Sequence, residues 1–419
     1  MANGQIYTGV KWTTLSVIVN AVFVIIKIYF LAHHLSKTDF GTFAIVTSII
    51  TFLNLLADMG LTAAIMHVQK LTVKQSSSMF WLTLSFAAIL SILLSLISPL
   101  IASFYKMPTL KLIIPIASIN LIIAALGRMP YAIDRKNMKF VRIEVISIIS
   151  SFIANSTAII LAINGFGIWS MVVSSVLFIA IIFLTYFFIG LFITKSIRFY
   201  FSINESKYFV KIGAYHFLAK GLSAFTMDID SIIIGKLLGL ELLGLYALAK
   251  ELASKPFLVS GPFIDKVFSP FLAKHNFDVE NLKGKFLSLL KFNSYFNVGV
   301  MVVFIISANE IVKYLYGPNY SQIIGLSRLL SVVFLLRAIN GPVMALIVAM
   351  GKTLYDFQWN LLQIIIVPLF LIVGAQFGLY GVAISFIIMS ILLIYPSWYF
   401  FGKRLLGLTF KEQLLAYFT

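Results

Sequence analysis

Cysteine is absent from this chain of 419 residues. Its absence excludes disulfides, Cys-x-x-Cys redox chemistry and cysteine-ligated zinc, and leaves the redox compartment open. Charge is scarce as well: 11% of residues are Asp, Glu, Lys or Arg, against about 25% in soluble globular proteins. Acids are scarcer than bases, 15 against 32, for a formal charge of +17. No polar stretch is long enough for a soluble domain. What fills the chain is apolar: 60% hydrophobic residues, Phe alone accounting for 39, and a mean hydropathy of +1.00. Such a composition predicts an all-α polytopic membrane protein. Its excess of Lys and Arg then serves topology and anionic membrane lipid, and no nucleic-acid partner is expected.

Apolar windows near the length a bilayer requires, about 20 residues, number about twelve: roughly 10–32, 40–66, 79–104, 109–130, 144–164, 167–193, 212–238, 242–273, 287–309, 324–350, 358–376 and 379–401. The opening MANGQIYTGVKW runs into the first window without a small-residue cleavage pattern, which predicts a retained helix rather than a signal peptide. Pro256, Pro262 and Pro270 predict a kink in the eighth. With the amino terminus inside, 21 of the 32 Lys and Arg fall on the cytoplasmic side, five on the other, and six within or at the edge of spans. Both termini are therefore expected in the cytoplasm.

The two halves repeat weakly. Leu35, Gly41, Phe43 and Ala44 recur as Leu238, Gly244, Tyr246 and Ala247, an offset of 203. Phe166-Gly167-Ile168-Trp169 recurs as Phe377-Gly378-Leu379-Tyr380, an offset of 211. These matches predict two pseudo-symmetric six-helix bundles over 1–193 and 212–419, joined by a cytoplasmic linker at 194–211. Parallel repeats of this kind are a transporter architecture, with the substrate site between the halves.

Signatures of catalysis are thin. Gly351-Lys352-Thr353 lacks the upstream glycine of a phosphate-binding loop, Gly221-Leu222-Ser223 lacks the closing glycine of a nucleophile elbow, and HExxH does not occur. His33, His34, His67, His216 and His275 lack metal-ligand spacing, so neither metal nor other cofactor is expected. What remains is charge inside spans. The stretch 212–238 carries Lys220, Asp228 and Asp230 at a depth where an ionisable group is costly unless it faces protein or water. Helical periodicity puts Lys220 and Asp230 in one narrow sector, three turns apart, with Asp228 pointing elsewhere. His216 fits either a titrating group or a hydrogen bond to a neighbouring helix.

Lys27 lies in the first span, Asp58 in the second, Lys250, Glu251 and Lys255 in the eighth, and Arg328 and Arg337 in the tenth. Glu251 and Lys255 have the spacing of a helical ion pair, while Lys27 and Lys236, near span ends, fit snorkelling equally well. The charged spans are chiefly one, two, seven and eight, corresponding helices of the two halves. Positive charge there suits an anionic ligand such as a diphosphate headgroup.

A resemblance then becomes visible. The run LSKTDFGTFAIVTSIITFLNLLADMGLTAAI (35–65), with FWLTLS (80–85), PLIASFYKMPTL (99–110), NGFGIWSMV (164–172), DIDSIIIGKLLGLELLGLYALAKEL (228–252) and LYGPNY (315–320), resembles the Wzx-type polysaccharide and O-antigen flippases. Their colanic-acid and teichuronic-acid exporter branch is the most similar. Their superfamily also holds multidrug exporters and lipid II flippases. The resemblance covers nearly the whole chain and implies two bundles in a V, alternating access and no enzymatic activity. It further implies transport of undecaprenyl-diphosphate-linked oligosaccharide to the outer leaflet of a bacterial inner membrane, with a polymerase and other polysaccharide-assembly proteins as partners. Family members carry an Arg-Asn-x-Asp-like stretch in the seventh helix. Met227-Asp228-Ile229-Asp230 stands there, matching at Asp230 and departing at Met227 and Asp228.

On this footing Lys27, Lys220 and Lys255, with Lys250 and Arg337, are expected to contact the headgroup. Asp230, then Asp58 and Glu251, are expected to couple transport to H+ or Na+. Two other readings stay open. A multidrug-type cation antiporter calls for an acidic cavity where this chain is basic, and a glycan polymerase or ligase calls for a long outer loop bearing catalytic Arg or His, which is lacking.

Overall fold

The computed structural model describes residues 2–68, 71–263, 272, 279–350 and 352–418, with backbone alone at 211–220 and some other positions. Every regular element among them is helical. A bilayer offers backbone amides no partner, and a helix satisfies its own.

The chain divides into two compact units, Met1–Ala224 and Phe225–Thr419. The first contains α1 (Ala2–His34), α2 (Lys37–Asp58), α3 (Leu61–His67), α4 (Val73–Phe104), α5 (Leu110–Lys136), α6 (Phe140–Ile163) and α7 (Ile168–Phe188). α8 (Ile203–Leu237) runs across the division, so residues 203–211 of the expected linker are its first turns. The second unit continues with α9 (Leu240–Phe263), α10 (Val279–Tyr316), α11 (Gln322–Ile339), α12 (Gly341–Ala349), α13 (Thr353–Ala375), α14 (Gly378–Leu392) and α15 (Phe410–Phe418).

Among the described residues, ten helices have the length and composition of a membrane span. α8 and α9, where the sequence places two more, are long enough at 35 and 24 residues but carry ionisable groups along their length. The expected second span, 40–66, is two helices: the left-handed backbone at Met59 and Gly60, φ 49° and 67°, stops α2 and sends the surplus length into α3. α9 is helical through Pro256 and Pro262, and Pro270 lies outside the described residues.

The packing order repeats between the units. In the first, α5 packs on α4, α7 and α2, and α7 packs on α6; in the second, α11 packs on α10, α14 and α9, and α14 packs on α13. α5 and α11 are the most buried of the ten spans. Close approach at α5 depends on Gly127, where a Cβ would lie 2.1 Å from the Phe183 carbonyl oxygen of α7.

Each half also closes on the same turn. The last span of the first unit passes into a π-helical turn at Ile189–Ile193, and that of the second at Trp398–Lys403. Each turn holds a glycine against which the following chain folds back: a Cβ at Gly190 would stand 2.8 Å from Ile197, and one at Gly402 2.1 Å from Gln413. Lys195 and Gly407 are both left-handed, φ 47° and 62°. Ser196 N–H donates to the Gly190 carbonyl at 2.9 Å, as Leu408 N–H does to Gly402 at 3.1 Å. The glycines, the left-handed residues and the hydrogen-bond donors each lie 212 residues apart (190 and 402, 195 and 407, 196 and 408).

Candidate functional site

A helical hairpin sets residues equidistant from its turn at one level. α8 and α9 join at Gly239, whose φ of 90° suits glycine, and this brings Asp230 opposite Tyr246 and Lys250. Lys250 Nζ lies 2.8 Å from Asp230 Oδ2 and 3.8 Å from Asp228 Oδ1. Tyr246 donates its hydroxyl to Asp230 Oδ2 at 2.6 Å, and Ser231 N–H donates to Oδ1 at 2.7 Å. Asp230 is buried, with 4% of its surface exposed, as is Tyr246, while Lys250 and Asp228 are half-buried.

Two carboxylates thus share one ammonium, in a place where the surroundings screen charge weakly. Asp228, expected in another sector of α8 than Asp230, is reached by the same Lys250 from α9. On α11, in the same unit, the Arg337 guanidinium lies over the rings of Phe334 and Phe386 at 5.8 and 5.7 Å.

The other expected site residues lie on helices of either unit. Lys220 is on α8 with its side chain outside the described residues. Lys255 pairs with Glu251 at 3.1 Å on an open face of α9. Lys27 is half-buried on α1. Asp58 ends α2, accepts a hydrogen bond from Thr62 and lies 3.7 Å from Arg128 Nε. Arg128 also donates to Asn54 Oδ1 at 3.2 Å. Arg128 lies inside α5, which continues to Lys136 rather than ending near 130. Among the described residues, no group of three His, Cys, Asp or Glu is placed to hold a metal ion.

A family model described as "Polysaccharide biosynthesis protein" matches residues 30–325. The teichuronic acid biosynthesis protein TuaB of Bacillus subtilis is 26% identical over 99% of this chain and 85% of its own length. The lipopolysaccharide biosynthesis protein WzxC of Escherichia coli is 22% identical over 98% of this chain and 83% of its own. Among solved structures, the lipid II flippase MurJ in an inward closed conformation superposes with a TM-score of 0.76 at 19% identity, covering 98% of this chain and 90% of that one. An inward-facing multidrug resistance transporter of the MATE family, in the MOP superfamily, superposes at 0.69 with 13% identity, covering 94% and 96%. The fold is one these transporters share, and the chain is a multi-pass membrane protein.

Proposed function

The chain belongs to the polysaccharide biosynthesis protein family, and from that premise we propose that it is a flippase for undecaprenyl-diphosphate-linked oligosaccharide repeat units. It carries them from the cytoplasmic to the outer leaflet by alternating access, for surface polysaccharide export. The observation that carries the reading is the set of ionisable side chains kept inside a transporter fold that is otherwise apolar, above all Asp228, Asp230 and Lys250. Such groups are retained against a standing desolvation cost, which marks a pathway rather than a scaffold. Names of the relatives, with teichuronic acid and lipopolysaccharide as their products, support a glycan cargo.

In this reading Lys27, Lys220, Lys255, Lys250 and Arg337 supply positive charge toward the diphosphate. Asp230, with Asp58 and Glu251 as the alternatives, takes H+ or Na+ as the driving ion. α8 and α9 complete twelve spans in an inner membrane with both termini cytoplasmic, and the exported unit passes to a polymerase.

Disrupting the gene in its host tests this. Surface polysaccharide should disappear and lipid-linked repeat units should accumulate on the inner leaflet, with drug susceptibility unchanged. Complementation with Lys220→Ala should leave the protein in the membrane and export absent. Normal polysaccharide with raised drug susceptibility would instead make the chain a multidrug exporter.

A further inference from the structure

The first unit carries a surface formed beyond its last span. Beyond the π-helical turn, residues 194–202 lie across the start of α4 without regular structure, yet they are pinned. Ser76 Oγ donates to the Ser196 carbonyl at 2.6 Å, and Trp81 Nε1 donates to the Arg198 carbonyl at 3.0 Å. Ser77 Oγ accepts from Arg198 N–H at 2.9 Å and Ser78 Oγ from Ser202 N–H at 3.0 Å. Three buried serines and a tryptophan thus replace the backbone ladder this segment lacks. What the segment shows to its surroundings is therefore fixed by the fold.

It shows aromatic and basic groups. Phe199 is 97% exposed, its ring 5.0 Å from that of Trp81. Phe192 and Ile193 before it and Phe201 and Ile203 after it are exposed too. Lys195, Arg198 and Lys207 are exposed along the same stretch, and Lys74 lies 5.6 Å over the Tyr200 ring. Among the described residues none of these four cations is in an ion pair. The corresponding end of the second unit differs: Lys403 lies over Trp398 and Tyr399 at 5.6 and 5.3 Å, and Arg404 over Tyr399 and Phe400 at 5.1 and 5.2 Å. There both cations lie over the protein's own rings, as Lys74 alone of the four does here among the described residues.

We propose that residues 192–207 form a binding site for an anionic phospholipid, with Phe199 among the acyl chains and Lys195, Arg198, Lys207 and Lys74 around the phosphate. Three observations favour this occupant. The patch continues the exposed apolar surface of α7 at Leu184 and Phe188 past the end of the span. A tryptophan and a row of Lys and Arg mark the depth where headgroups lie. Unpaired cations complement the negative surface of a cytoplasmic leaflet, and exposed Phe beside them complements its chains. The inference stands apart from the flippase reading, since any membrane protein with this strap would hold such a lipid.

The absence of cysteine makes the test direct, because Phe199→Cys in the full chain takes a single nitroxide label. In vesicles of phosphatidylcholine mixed with phosphatidylglycerol, the label should be reached by oxygen in preference to a water-soluble nickel chelate. Preferred access by the chelate, or shielding from both probes by a second copy of the chain, would overturn the proposal; Phe201→Cys serves if the first variant does not fold. Headgroup selectivity is read with spin-labelled phosphatidylglycerol against spin-labelled phosphatidylcholine. Arg198→Gln should lower that selectivity about fivefold, and Arg198→Lys should restore it. Unchanged selectivity in Arg198→Gln, or an equal loss of both lipids, would overturn the assignment of the cations.

Discussion

Removing Lys250 takes away the ammonium that Asp228 and the buried Asp230 share, and breaking a buried pair in this way costs about 3–5 kcal/mol. Lys250→Met should therefore lower the thermal midpoint in detergent steeply. Adding Asp228→Asn and Asp230→Asn should recover most of the loss, because the carboxylates are what the lysine neutralises. Asp230→Asn alone keeps the shape of the side chain and an acceptor for Tyr246, so the fold persists. Reconstituted flipping under an imposed pH or Na+ gradient should then proceed without dependence on the gradient. Full dependence in this variant would move the coupling site to Asp58 or Glu251. The charges themselves were legible in the sequence, each an anomaly in an apolar span, but the partners were not. Periodicity relates residues along one helix and so joined Asp230 to Lys220, whereas the ion pair runs between helices. The available signal was Gly239: 230 and 250 lie nearly equal distances either side of it.

At the scale of elements, α15 acts as a clasp on the second unit. Thr409 and Glu412 cap its start reciprocally, the Thr409 N–H donating to Glu412 Oε2 at 2.7 Å and Thr409 Oγ1 accepting from the Glu412 N–H at 3.2 Å. Lys283 on α10 reaches Glu412 Oε1 at 2.7 Å. Tyr417 donates to Asn340 Oδ1 at 2.6 Å, between α11 and α12, and burial pushes its hydroxyl up to about 12. The Lys283 hydrogen bond, with those of Thr409, lowers the Glu412 carboxyl to about 2 from an ordinary 4.5. A carboxyl depressed by folding contributes stability above its unfolded value and loses it as pH falls through the folded one. Docking of α15 should weaken between about pH 4.5 and about pH 2, seen as faster proteolysis at the carboxyl end. Glu412→Gln should abolish that pH step. Thr409 and Glu412 carry the spacing of a capping box in the sequence, yet Lys283 lies far away along the chain, and only packing joins them.

For the whole molecule, the asymmetry of Lys and Arg predicts an orientation that reporter fusions can check. Fusions at 135, 205, 280 and 415 should report the cytoplasm, and fusions at 37 and 106 the opposite side; one reversed pair would break the scheme of twelve spans. Helices were legible because the bilayer dictates both their length and their apolar filling. Their ends were less so: the fourth window closes near 130, where polar and basic residues begin, although the backbone of α5 remains helical to Lys136. To the two short sequence matches the structure adds a third likeness, the π-helical turns around Gly190 and Gly402. A π turn houses one residue more than an α-helical turn requires. In each half the extra residue is followed by the same left-handed step and the same hydrogen bond. A turn carried by one half alone would be a local accident of its sequence; carried by both, it is a way of ending the bundle, and what it ends in is a chain folded back on a glycine rather than a helix run on into water.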